Sequence, residues 1–182
     1  AGRINEVLDT QSSVSYPEYS SEKPKEVGTV EFEDVSFRYS ETSEPVLEHI
    51  SFKAKKGDTV ALIGSTGSGK STLVNLIPRF YDATQGTIKV DGVDVRYYDH
   101  ETLHNIVGYI PQKAVLFSGD ITSNTTMGTS NNSPLDDAKI WEALELAQGK
   151  DFVENKEGQL KAEVAQAGSN FSGGQKQRLA IA

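Results

Sequence analysis

The segment GSTGSGKS, Gly64 to Ser71, matches G-x-x-x-x-G-K-[ST] at every fixed position and follows the apolar run Val60 to Ile63. In this pattern a glycine-rich turn joins a buried strand to a helix and points its backbone N–H groups at phosphate. The lysine then reaches the β- and γ-phosphates, and the next hydroxyl holds Mg²⁺. Glycine is needed because a Cβ would keep the backbone from closing around the anion. The reading makes Val60–Ile63 the end of a buried strand and Lys70–Ile77 a helix whose N-terminus faces phosphate. The nucleoside-triphosphate site would then be built from Gly64, Ser65, Thr66, Gly67, Ser68, Gly69, Lys70, Ser71 and Thr72.

The rest of the chain sets limits on that site's setting. A length of 182 residues suffices for one domain with a sizeable core. A net charge of −8 argues against nucleic acid as a partner. With no cysteine there is no disulfide framework and no thiol catalysis. No apolar run approaches the ~18 residues of a spanning helix, and no signal peptide is visible. The N-x-[ST] matches at Asn124, Asn131 and Asn170 read as chance.

Ile4, Val7 and Leu8 have helical spacing within residues 1–10, and residues 11–28 read as a Ser-, Glu- and Pro-rich linker. Strands are expected at 29–38, 47–54 and 58–63, with a Lys56-Gly57-Asp58 turn before the last. Pro78 ends the phosphate-loop helix. Asp91-Gly92 makes a hairpin turn between Ile88–Val90 and Val93–Val95. Asp99 caps a short helix that leads into a strand at Val107–Ile110. Beyond Lys113 the pattern is helical and polar. Ser133 caps a helix with Pro134 first, and Ile140, Ala143, Leu144 and Ala147 form its apolar face.

A second glycine motif, Phe171-Ser172-Gly173-Gly174-Gln175, stands about 100 residues after the first. Alone it reads as a glycine-rich turn opening an amphipathic helix. Together with the phosphate loop it resembles the nucleotide-binding domain of an ABC transporter, whose L-S-G-G-Q signature binds the γ-phosphate of ATP held by a partner domain. The resemblance implies an α/β fold: a P-loop NTPase core with an antiparallel β subdomain and a helical subdomain inserted at about 113–171. Residues 1–28 would be the end of a transmembrane helix and a linker, and 29–182 an incomplete nucleotide-binding domain lacking the C-terminal strands. Tyr39 resembles the aromatic that stacks on adenine; its plain reading is a strand-end aromatic packing on its neighbours. Gln112 resembles the Q-loop glutamine that reaches Mg²⁺ and the attacking water. Lys70, Gln112 and, in trans, Ser172 would serve catalysis. Ser71 and Gln112 would hold Mg²⁺, and Ser172, Gly173, Gly174 and Gln175 would complete a partner's ATP site. The partners implied are a transmembrane domain and a second nucleotide-binding domain, at the cytoplasmic face of a membrane.

Val115-Leu116-Phe117-Ser118-Gly119 resembles the exporter subgroup. Two departures stand out, Gln166 where an exporter loop carries Glu and Phe171 in place of Leu. Asn170-Phe171 resembles one subunit of heterodimeric multidrug transporters. The family's Walker B Asp, catalytic Glu, D-loop and switch His have no counterpart up to Ala182, so the resemblance implies ATP binding without turnover by these residues.

Other readings compete. A regulatory nucleotide sensor, or a non-transport ATPase of the same superfamily, would share the phosphate loop, although the latter's long heptads are absent. A P-loop kinase would lack S-G-G-Q. His100-Glu101-Thr102-Leu103-His104 fits H-E-x-x-H, the pattern of a zinc peptidase with Glu101 as base, but no third ligand has a recognisable spacing.

Overall fold

Val30 and Phe32 are two residues apart, as are Val35 and Phe37, but the two pairs are out of phase, so a straight strand would bury only one of them. The computed structural model, which describes residues 12–127 and 136–182, resolves the conflict with a bulge. In strand β1 (Val30–Phe37), Asp34 takes a φ of 51°, and all four apolar side chains turn toward the core. Strand β3 (Gln85–Val90) crosses the bulge at Gly86. A Cβ there would lie 2.4 Å from the carbonyl oxygens of Glu33 and Asp34, so no other residue fits.

The chain divides into two units, Ala1–Tyr109 and Ile110–Ala182. In the first, β2 (Leu47–Ala54), β1, β3 and β4 (Val93–Asp94) form one antiparallel sheet in that order. Val30 faces Ala54 on one side and Val90 on the other. Asp91 and Gly92, both at positive φ, make the two-residue β3–β4 turn. Helix α1 (Lys70–Leu76) buries Leu73 and Leu76. Helix α2 (His100–Ile106) is capped by Asp99, whose side chain accepts the Thr102 N–H. Tyr98, fully buried beside them, donates its hydroxyl to the Val90 carbonyl at 3.0 Å. Burial first, then the Asp91 carboxylate, pushes its phenol up to about 12.

Residues 12–29 run as irregular chain tied down along their length. The Ser20 hydroxyl donates to Asp99 at 2.5 Å, and the Lys25 and Glu26 amides donate to the Asp91 carbonyl. The Ser20 hydroxyl first, then the Thr102 N–H and hydroxyl, hold the Asp99 carboxyl well below the usual carboxylate range. The Tyr16 ring lies against the Arg79 guanidinium, 4.8 Å away.

Two expected strands do not form. Residues 58–63 and 107–110 have no ladder partner, and Val60, Leu62 and Ile63 are exposed, Ile63 to 96%. An apolar run becomes a buried strand only when other strands flank it. Among the described residues all four strands of this unit pair with one another instead.

In the second unit β5 (Gly119–Asp120) pairs with β6 (Glu163–Val164). Around that pair lie helices α3 (Ile121–Thr125), α4 (Asp137–Leu146), α5 (Lys150–Glu154) and α6 (Gly173–Ile181). Ile140 and Leu144 of α4 are buried with Ala147, while Ala143 is half-buried. Leu116, Ile121, Val153, Leu160, Ala162, Val164, Phe171 and Leu179 complete this core. The expected Ser133 cap and Pro134 start lie outside the described residues.

Candidate functional site

The phosphate loop closes around its own lysine. The Lys70 ammonium donates to the carbonyls of Gly64 at 2.9 Å and Ser65 at 2.7 Å, and to the Ser68 hydroxyl at 3.3 Å. Gly69, at φ +83°, caps α1 and packs where a Cβ would meet Leu47 Cδ2 at 2.9 Å and the Val46 carbonyl at 3.0 Å. At Gly64 a Cβ would sit 2.6 Å from the Ser68 hydroxyl, and Gly67 needs its glycine for a φ of +84°. Thr66 lies in the turn, Ser71 is exposed in the first turn of α1, and Thr72 is buried.

Tyr39 is tied to this loop. Its hydroxyl and that of Thr72 are 2.8 Å apart, with either as donor. Its ring meets Phe37 and Tyr81 edge-on, at 4.9 and 5.3 Å between centroids, and stays 54% exposed. The chain therefore brings together Tyr39 and Gly64–Thr72. The arrangement suits a triphosphate bound with Mg²⁺: an ammonium inside the loop, an open position at Gly67, an exposed hydroxyl at Ser71 and an exposed aromatic alongside.

Gln112 and the Ser172–Gln175 motif belong to the second unit. Gln112 is exposed. Ser172 caps α6 in a reciprocal box: its hydroxyl accepts the Gln175 N–H at 3.3 Å, and Gln175 Oε1 accepts the Ser172 N–H at 2.9 Å. A Cβ on Gly173 or Gly174 would meet nothing within 4 Å. The run before the motif is anchored. Phe171 is buried under the Lys156 ammonium, 4.4 Å from its ring. Asn170 receives the Ala165 N–H and donates to the Glu163 carbonyl.

His100 and His104 share a face of α2, rings 4.1 Å apart, but His104 Nε2 pairs with the Pro78 carbonyl at 3.0 Å. Among the described residues no group of three His, Cys, Asp or Glu is placed to hold a metal ion, so the zinc-peptidase reading gains no third ligand. Sequence reasoning overlooked Tyr81 beside Tyr39, and the clamp of Asn170 on its loop. The pairing S-x-x-Q was a readable signal for the box at Ser172. Nothing local signalled Tyr81.

The ABC transporter family matches residues 47–182. An uncharacterised ABC transporter ATP-binding protein of Mycobacterium tuberculosis is 45% identical over the whole chain, which covers 31% of that protein. A putative multidrug export ATP-binding/permease protein of Bacillus subtilis is 43% identical over 85% of the chain, or 26% of its own length. A bacterial Atm1-family ABC exporter solved with ATP bound superposes with a TM-score of 0.86 at 31% identity. It covers 99% of this chain, and the match spans 31% of that structure. The chain thus spans about a third or less of the length of the proteins it matches.

Proposed function

Since the chain belongs to the ABC transporter family and has its P-loop NTPase fold, we propose that it is the ATP-binding part of a membrane exporter. The observation that carries this reading is the loop closed on Lys70 with Tyr39 tied to its helix. In this reading Tyr39 stacks on adenine, the amides of Gly64–Thr72 cradle phosphate, and Ser71 and Gln112 hold Mg²⁺. Mg²⁺ held by those two side chains would neutralise part of the triphosphate's charge. The Lys70 ammonium exchanges the carbonyls of Gly64 and Ser65 for the β/γ-phosphates. That exchange replaces neutral acceptors by charged ones and favours binding.

Residues 1–28 are proposed as the approach from a transmembrane domain, 29–182 as nucleotide-binding domain and about 113–171 as its helical insertion. Among the described residues no helix is long and apolar enough to cross a membrane. Because the chain spans about a third or less of the proteins it matches, export, ATP hydrolysis and attachment to the cytoplasmic face are proposed for the whole protein. A second nucleotide-binding domain would offer its phosphate loop to Ser172, which acts in trans. The exposed glycines at 173 and 174 support that approach, because they leave the start of α6 bare.

Calorimetric titration with Mg-ATP tests the cis half of the reading. Lys70→Ala is expected to weaken binding by about 1.5–3 kcal/mol. Unchanged affinity in a folded variant would overturn the ATP site.

A further inference from the structure

Tyr81 has no task in the site as described, yet the fold goes to some length to fix it. It follows a tight turn in which Arg79 takes a φ of 58° and the Phe80 N–H bonds the Asn75 carbonyl. Arg79, only 5% exposed, clamps Asp82 across it with Nε–Oδ1 at 2.6 Å and Nη2–Oδ2 at 3.1 Å. Thr84 then locks this turn to β1: its N–H bonds the Ser36 carbonyl, and its hydroxyl accepts the Arg38 N–H at 3.0 Å. The chain bearing Tyr81 is thereby fastened to the residue just before Tyr39. Tyr81 itself is 37% exposed, and its ring stands 5.3 Å from Tyr39 at 87°. Phe37, the third member of the trio, is 4% exposed and belongs to the core.

We infer that Tyr81 is a positioning residue for the nucleotide base: with the Thr72 hydroxyl it holds the Tyr39 ring upright, so affinity for the purine depends on a side chain that need not touch it. An exposed aromatic at a strand end otherwise samples several rotamers, and ordering it on binding costs free energy. Two fixed anchors, one at the hydroxyl and one at the ring edge, remove that cost beforehand. The inference rests on the reading of Tyr39 as the adenine platform.

The test compares Mg-ATP with inorganic tripolyphosphate, which has the phosphates and no base, on the full chain. Tyr81→Leu is expected to weaken ATP about three- to tenfold, the range of an edge-on aromatic pair, with tripolyphosphate unchanged. Tyr81→Phe, which keeps the ring, is expected to restore ATP binding. Thr72→Val, removing the other anchor, should likewise lower the ratio of ATP affinity to tripolyphosphate affinity, and it serves if Tyr81→Leu fails to fold. Equal loss for both ligands would mean that Tyr81 merely supports the loop, which overturns the inference. An unchanged ratio in Tyr81→Leu, with a lowered ratio in Tyr39→Ala, overturns it while leaving the platform intact. An unchanged ratio in Tyr39→Ala overturns the platform, and the inference with it.

Discussion

Gly67 and Gly69 stand at positive φ, and a Cβ on Gly69 would press into Leu47 and Val46; a Cβ on Gly173 or Gly174 would enter open space. The two glycine motifs thus serve opposite needs. In the phosphate loop the chain's own backbone demands glycine. In the second motif no neighbour among the described residues does, and in the proposed reading those glycines leave room for a partner's nucleotide. Anchoring differs in the same sense. Phe171 and Asn170 hold the second motif from its N-terminal side, whereas the residues before Gly64 are exposed and the loop is held by α1 and by Lys70. A shared composition therefore conceals one motif whose glycines its own unit constrains and another whose glycines no described neighbour constrains.

The strongest test of this contrast is Gly69→Ala. Left-handed backbone at an alanine and overlap with Leu47 together are expected to cost about 2–4 kcal/mol in urea unfolding followed by circular dichroism. A cost near zero would break the comparison on the side of the phosphate loop.

A pH titration sharpens it by separating the units. All seven tyrosines precede residue 110, and the single tryptophan, Trp141, follows it. Burial, then the Asp91 carboxylate, pushes the Tyr98 phenol up to about 12 from an ordinary value near 10, so folding favours its neutral form. The stability it contributes is complete below pH ~10 and is lost as pH rises from there toward 12, amounting to about 2–3 kcal/mol. Urea unfolding followed by circular dichroism should show the loss over this window, with Trp141 fluorescence reporting the second unit in the same samples. The Tyr98-linked part of the loss should vanish in Tyr98→Phe.

Smaller effects are expected in the second motif. Ser172→Ala removes a helix cap and should cost about 1 kcal/mol, read by Trp141 fluorescence in urea. Gly174→Ala should stay within about 0.5 kcal/mol. Both should leave Mg-ATP affinity of the chain unchanged, because Ser172 is proposed to act on a partner's nucleotide. A loss of affinity in either variant would place the motif in cis and end the contrast.

Where the determinants lie within a few residues, the sequence sufficed. The hairpin at Asp91-Gly92, the Asp99 cap, the end of α1 before Pro78 and the G-x-x-x-x-G-K-S turn each follow from φ preferences and bonds of three or four residues' span. The family was legible for the same reason. Strand formation was legible only in part: β1 and β2 stand where 29–38 and 47–54 were expected, but no strand forms at 58–63 or 107–110. The run at 58–63 is apolar enough for a buried strand, yet a strand exists only when another pairs with it, and that pairing is decided far along the chain. The Tyr39–Thr72 bond spans 33 residues and Ser20–Asp99 spans 79. Tyr81 reaches Tyr39 only because Thr84 is fastened to β1. Local backbone chemistry wrote the motifs into the sequence, and closure of long loops around a common core decided which side chains stand beside them.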